Sequence, residues 1–186
     1  MAYTLDKSES AVYSADMASM ERTARDRRLG PCPRTLHLID IENLIGSTGF
    51  KTGTVASVAH SYGCLAEIGS VDLVIVASSH FTALPAWCGW PNVRRLVRSG
   101  PDGADLALIK VIETEDIPRR FDRVVIASGD GIFAEPAAWL QAHGCAVTVV
   151  TRRDALSRQL HFAARDVRYL DVRVAEAQAV DLPDAA

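Results

Sequence analysis

From Arg34 onward, short apolar runs alternate with stretches in which apolar residues recur every three or four positions. Runs at Thr35–Ile39, Val71–Ala77, Val93–Val97, Arg123–Ala127, Cys145–Val150 and Val167–Leu170 have strand length and are rich in β-branched residues. Between them, Val55–Ile68 carries Val55, Val58, Ala59, Tyr62, Leu65 and Ala66 on one side of a helix. Ala104–Glu113, Ala134–His143 (with Gly144 as its stop signal) and Ala155–Ala164 read as helices too. Phe81–Trp87 is a short helix or turn that ends near Gly89 and Pro91. Continuous apolar strands separated by helices predict a sheet buried on both faces. The expected architecture is a three-layer α/β/α sandwich around a central, mostly parallel sheet of five or six strands.

The pattern changes at both ends. Residues 1–33 are polar and Ala-rich, with four arginines between Glu21 and Arg28 and no long apolar face. They read as a solvated N-terminal extension, and Met17 and Met20 are alternative starts within it. Gly30-Pro31-Cys32-Pro33 punctuates the boundary. Residues 34–171 form the expected domain, and 172–186 a loose tail.

The chain of 186 residues is about one domain in length, and 48% hydrophobic with 23% charged residues is ordinary globular usage. A formal net charge of −3 gives no global basic field, so any nucleic-acid binding rests on a local patch. None of Cys32, Cys64, Cys88 and Cys145 stands in a CxxC pair, which argues against a zinc ribbon. The sequence opens on no apolar leader, and its apolar runs are too short to span a bilayer. A cytoplasmic protein with reduced thiols is the expectation.

In a doubly wound sheet, ligands bind beyond the carboxyl ends of the strands, so the polar residues at those ends matter most. The first strand ends in Asp40, followed by Ile41-Glu42-Asn43 with no clear helix start. The fourth ends in Ser128-Gly129-Asp130-Gly131, and the helix after the third opens with Pro101-Asp102-Gly103-Ala104-Asp105. Three separate segments thus bring a carboxylate to one rim. Grouped carboxylates either raise a pKa or hold a cation. Oxygen ligands favour Mg²⁺ or Mn²⁺, which suits phosphodiester hydrolysis. The bland reading is that Asp102 and Asp105 cap the third helix and Asp130 the fourth, a reading Asp40 resists for want of a helix start.

His37-Leu-Ile-Asp-Ile-Glu-Asn-Leu44, Gly103-Ala-Asp-Leu-Ala-Leu108, Val124-Val-Ile-Ala-Ser-Gly-Asp-Gly-Ile-Phe133 and Gly144-Cys-Ala-Val-Thr-Val149, in that order, resemble the NYN domain family of the PIN-like nuclease group. The resemblance covers about residues 34–171. It implies a PIN-like sheet and Mg²⁺- or Mn²⁺-dependent cleavage of RNA. It implies Asp40, Asp105 and Asp130 as metal-binding acids, Asn43 as polar companion of Asp40, and Ser128 as a hydroxyl for metal-bound water or phosphate. Gly129 and Gly131 would let the backbone approach a phosphate. Many relatives carry a second Asp where this chain has Ile132, and an acid further along the third helix, near Lys110; both departures imply weaker metal holding. PIN-like proteins often associate, so the resemblance also allows a homodimer.

For a single-stranded RNA partner, Arg94, Arg95 and Arg98 cluster around the third strand, Arg152 and Arg153 follow the fifth, and Lys51 lies in the Gly-rich loop after the first. Each can equally be a solvated charge, as Arg119 and Arg120 before strand 4 are expected to be. Phe81, Trp87 and Trp90 could stack on bases or close the edge of a core. His60 and Cys64 share a helix face without a third ligand, and the other histidines show no triad-like setting.

Two rival functions remain. Asp40-Ile-Glu42, Ser78-Ser79, Lys110 and Gly129-Asp130-Gly131 faintly resemble haloacid-dehalogenase phosphatases, with Asp40 as nucleophile; Glu42 and Ala134 stand where that family has Asp. The other is a non-catalytic module that binds RNA or protein through a depleted site.

Overall fold

The computed structural model describes residues 33–171. The readings of residues 1–32 and 172–186 fall outside it. Six strands form one sheet in the order β3-β2-β1-β4-β5-β6, every neighbouring pair parallel. They are β1 (Thr35–Asp40), β2 (Leu73–Ser78), β3 (Arg94–Val97), β4 (Arg123–Ala127), β5 (Ala146–Thr151) and β6 (Asp166–Tyr169). Helices α1 (Ile41–Ile45), α2 (Thr52–Ala66), α3 (Ala83–Gly89), α4 (Gly103–Thr114), α5 (Ile117–Arg120), α6 (Ala134–Ala142) and α7 (Arg158–Ala163) connect them. The expected three-layer α/β/α arrangement is present, with six strands and wholly parallel pairing.

Strand alternation sorts the core into two halves. Leu36, Leu38, Ile75, Val124, Ile126, Val147 and Val149 point to one face and pack with Leu108 and Val111 of α4 and Ala137 and Leu140 of α6. Ile39, Val76, Val125 and Val150 point to the other, against Val55, Val58 and Tyr62 of α2. All six residues of β1 are buried, as a central strand covered on both sides requires.

Three local departures have physical causes. Asp40 does start a helix: its carboxylate accepts from the Glu42 and Asn43 backbone N–H groups and caps α1. That helix has five residues and stops at Gly46, whose φ of 80° favours glycine, so it is too short to show a period. Strand β2 begins at Leu73, not Val71, because the Asp72 carboxylate folds back to accept from Gly69 N–H at 2.7 Å and Thr35 N–H at 2.9 Å. Helix α7 begins at Arg158, not Ala155, where the Ser157 hydroxyl accepts from Leu160 N–H and caps it.

Candidate functional site

The strand order reverses direction between β1 and β4, the switch point at which doubly wound sheets bind ligands. Asp40 ends β1 on the same side as Leu36 and Leu38, the face that α4 covers. Asp105, in the first turn of α4, meets it there: the two carboxyl groups share a hydrogen bond, Asp105 donating to Asp40. Asp40 is 4% exposed and Asp105 7%. Burial, then the charge of Asp40, the shared proton and the charges of Asp130 and Asp102 push the Asp105 carboxyl up to about 8. Burial raises Asp40 as well. Two carboxylates in contact in a dry site cannot both ionise, so the pair holds one proton near neutral pH. Asp105 Oδ1 is left buried without a hydrogen-bond partner.

Asp130 stands on the adjoining loop after β4. Its carboxylate accepts from Ile132 N–H at 2.9 Å and caps the short 3-10 turn Gly131–Phe133. The capping reading thus holds for Asp130, and Asp40, expected to start no helix, is a cap as well. It fails for Asp102, which has φ 52° and makes no side-chain cap bond, and Asp105 bonds Asp40 instead. Among the described residues, no three His, Cys, Asp or Glu side chains converge closely enough to form a metal cage. The site is a carboxylate pair with a third acid in its field.

The surrounding residues hold this geometry. Asn43 Oδ1 accepts from Gly129 N–H at 2.9 Å, and the Ser128 hydroxyl, fully buried, accepts from Asp130 N–H at 3.2 Å. The Gly129 N–H is therefore taken, and Gly129 is small for another reason. A Cβ there would lie 2.2 Å from the Ala155 carbonyl oxygen, against which the loop packs. At Gly131 a Cβ would lie 2.8 Å from Gln159 Oε1. Glu42 turns away from the pair and accepts from Ser79 N–H at 3.0 Å and from the Thr82 hydroxyl, fastening the loop after β2. Those hydrogen bonds hold its carboxyl below the usual range against the opposing effect of burial. Glu42 and the buried Thr151 beneath Gly129 complete a shell that the sequence signals only as polar residues at strand ends.

The basic residues separate. Arg98 is exposed just past the end of β3, and Lys51, exposed at the start of α2, makes no side-chain cap bond. Arg94 lies at the start of β3 and pairs with Glu115 at 2.6 Å, a partner it shares with Arg120. Arg95 lies over the Trp87 ring at 5.4 Å, and its register opposite Val76 gives it the α2 face. Arg95 is turned from the acid pair by strand parity, whereas Arg94 shares the α4 face through its register with Ile75 but stands at the start of β3, at the opposite edge of the sheet. Arg152 bonds the Asn43 carbonyl at 3.1 Å and Asp154, with its guanidinium packed over Gly46, so it clamps the end of α1. Arg153 is 4.6 Å over the Tyr169 ring.

Of the aromatic trio, Trp90 is core, its ring 5.5 Å from that of Tyr62, and Trp87 is half-buried, while Phe81 is 91% exposed. Lys110 reaches Glu113 at 3.8 Å in solvent, which takes from the phosphatase reading its lysine. One histidine does sit in a relay: His37 Nδ1 is 2.9 Å from the Tyr62 hydroxyl and Nε2 3.4 Å from Asp72. His37 and Tyr62 are wholly buried, so this relay is a structural element of the core.

No family model matches the chain, and no curated protein matches it. Four solved chains do. A protein of unknown function from Vibrio parahaemolyticus is 16% identical, with a TM-score of 0.50 over 75% of this chain and 93% of its own. A hypothetical protein from Trypanosoma cruzi is 18% identical, with a TM-score of 0.37 over 72% of each chain. At such identities the Vibrio likeness extends to the fold alone. No helix among the described residues is long and apolar enough to cross a membrane.

Proposed function

We propose that this chain is a metal-dependent ribonuclease that hydrolyses phosphodiester bonds of single-stranded RNA at the Asp40–Asp105 pair. The observation that carries the reading is the contact between these two carboxyl groups at the sheet's switch point, with Asp105 Oδ1 buried and unpartnered beside them. Dinucleotide-binding sheets leave the first helix N-terminus open to a pyrophosphate; here the Asp40 carboxylate fills it. A buried acid pair with a spare oxygen calls for a cation. Mg²⁺ and Mn²⁺ use one or two carboxylates and fill the remaining positions with water and phosphate oxygen, so the donor set fits without a closed cage. Asp40 and Asp105 would hold the ion, with Asp130 in the outer sphere. Such an ion, when bound, supplies an activated water and offsets charge on the transition state.

The chain's own residues set the geometry. Asn43 locks the Asp40 turn to the Gly129 backbone, and Ser128 orients the loop that carries Asp130. Arg98 and Lys51 are exposed cations that suit RNA phosphates. The resemblance to NYN domains supports the same reading. A cytoplasmic location is part of the proposal, in keeping with exposed thiols at Cys64 and Cys88.

A second reading, a nucleic-acid-binding module without turnover, is favoured by Ile132 and by the lack of three converging ligands among the described residues. One experiment separates the two. Purified protein is incubated with single-stranded RNA in Mn²⁺, Mg²⁺ or EDTA, beside an identically purified Asp130→Asn variant and a phosphomonoester control. Cation-dependent RNA cleavage that the variant lacks supports the nuclease. RNA binding without cleavage supports the module, and phosphomonoester turnover overturns both.

A further inference from the structure

We infer that the pocket between α7 and β6 is a subsite for an unpaired nucleotide of single-stranded RNA; the class of ligand rests on the ribonuclease reading. The pocket has a volume of about 300 Å³ and is lined by Arg153, Leu156, Arg158, His161, Phe162 and Tyr169. Phe162 is 81% exposed at the surface of a helix whose Leu160 is buried in the core. A phenyl ring so exposed is a ready stacking partner, since every base offers a π-face. The Arg153 guanidinium lies 4.6 Å over the Tyr169 ring, which presents a flat cationic surface. Arg158 is exposed and makes no ion pair among the described residues. Two acids lie at this edge: Asp171, 3.9 Å from Arg153 with both side chains in solvent, and Asp154, which pairs with Arg152.

Cations beside aromatic faces suit a ligand that carries both a π-system and an anion. An apolar protein surface would offer Arg158 no anion and Arg153 none beyond the distant Asp171. The location agrees with the acid pair. Tyr169 closes β6 opposite Thr151, at the same carboxyl edge of the sheet as Asp40. The neighbouring segment packs on the Asp130 loop, Ala155 against Gly129 and Gln159 against Gly131. A strand lying along that edge therefore passes from the acid pair over the Gly131–Gln159 contact and into the pocket.

The test measures binding of a short fluorescein-labelled single-stranded RNA to the full chain by anisotropy in EDTA, where no cleavage interferes. Phe162→Ala and Arg158→Ala, both at exposed positions, should each weaken binding by about 5- to 50-fold, the range of a stacked base or a phosphate contact. Arg158→Ala should also lower the slope of log affinity against log salt by about 0.7, and Phe162→Ala should leave it unchanged. Arg165→Ala, exposed and outside the pocket, should bind as the parent does. Parent-like binding by both pocket variants overturns the inference, as does an absence of RNA binding by the parent. A change in sedimentation with Phe162→Ala, at unaltered RNA affinity, also overturns it by assigning the face to contact between copies. Weakened binding by these variants in a protein that cleaves nothing leaves the subsite standing and removes the nuclease. Cleavage that ignores both variants does the reverse.

Discussion

Asn43 Oδ1 accepts a hydrogen bond from Gly129 N–H at 2.9 Å, joining residues 86 positions apart across the switch point. One end of this bond belongs to the helix that Asp40 caps and the other to the loop that carries Asp130. It ties the two acid-bearing segments together directly. Asn43→Ala leaves a backbone N–H unpaired at a buried glycine, and should cost about 1–2 kcal/mol in urea unfolding. If the site works as proposed, the variant should also lose cation-dependent RNA cleavage by more than its stability loss explains at a temperature where it stays folded. Full activity at unchanged cation affinity would show that the tie does not position the acids.

Asp105 is costly to the fold as it stands. Its carboxyl is pushed up to about 8 by burial and by Asp40, and its Oδ1 has no partner. Replacing this carboxyl, which folding must keep protonated, by an amide should therefore stabilise the protein while abolishing activity, a trade typical of functional sites. Asp105→Asn is expected to raise thermal stability in EDTA by at least about 1 kcal/mol. Millimolar Mn²⁺ should raise the melting temperature of the parent and not of this variant, because only the parent offers the paired carboxylates. A variant less stable than the parent in EDTA would show that the pair is not under electrostatic strain.

The two glycines of the Asp130 loop should respond differently. A methyl group at Gly129 meets the Ala155 carbonyl at 2.2 Å, which is backbone and cannot step aside. At Gly131 it meets the end of the Gln159 side chain, which can rotate. Gly129→Ala should cost roughly 1–3 kcal/mol by overpacking, and Gly131→Ala less than about 0.5 kcal/mol. Paired chemical denaturation of the two variants checks this, and equal losses would contradict the packing described here.

Much of this was legible in the sequence. The four inner strands stand out as short, largely apolar and mostly buried runs, the edge strands β3 and β6 less so with their exposed arginines and aspartate, and the longer helices between them because they show a period. Topology alone brings Asp40, Asp105 and Asp130 to one rim. The pairing of Asp40 with Asp105, and the outlying position of Asp130, depend on how α4 sits on the sheet, which no local pattern encodes. Helix α1 escaped notice because five residues make little more than one turn. Arg94 and Arg95 stand apart from the acids for two reasons: Arg94 opens β3 beside Glu115 at the far end of α4, and Arg95 is turned by strand parity to Trp87 on the other face.

The buried relay of His37 gives the fold a pH dependence opposite to that of the acid pair. Burial lowers the His37 pKa despite the opposing pull of Asp72, so the folded protein keeps this imidazole neutral. The Asp72 carboxylate only accepts, which puts the imidazole proton on Nε2 and leaves Nδ1 to accept from the Tyr62 hydroxyl. In the unfolded chain His37 takes up a proton near about pH 6.5, and the folded chain does not until lower pH. Unfolding therefore takes up a proton below that point, and stability falls as pH drops from about 6.5 toward the folded value. Asp105 acts in the other direction: the folded chain holds a proton up to about pH 8, while the unfolded chain releases it near about pH 4. Its contribution weakens the fold as pH rises between those limits. In the parent the two slopes oppose each other. Asp40→Asn with Asp105→Asn keeps a good helix cap at position 40 and removes both carboxyl groups. In EDTA this double variant should lose stability between pH 7 and 5.5, by up to about 1.4 kcal/mol per pH unit for one histidine, while the parent changes less. Urea unfolding at both pH values gives the comparison. A double variant with no more pH dependence than the parent would rule out the neutral, buried state of His37, the acid-pair term, or both, and His37→Gln in the double-variant background, which should abolish the remaining slope, identifies which.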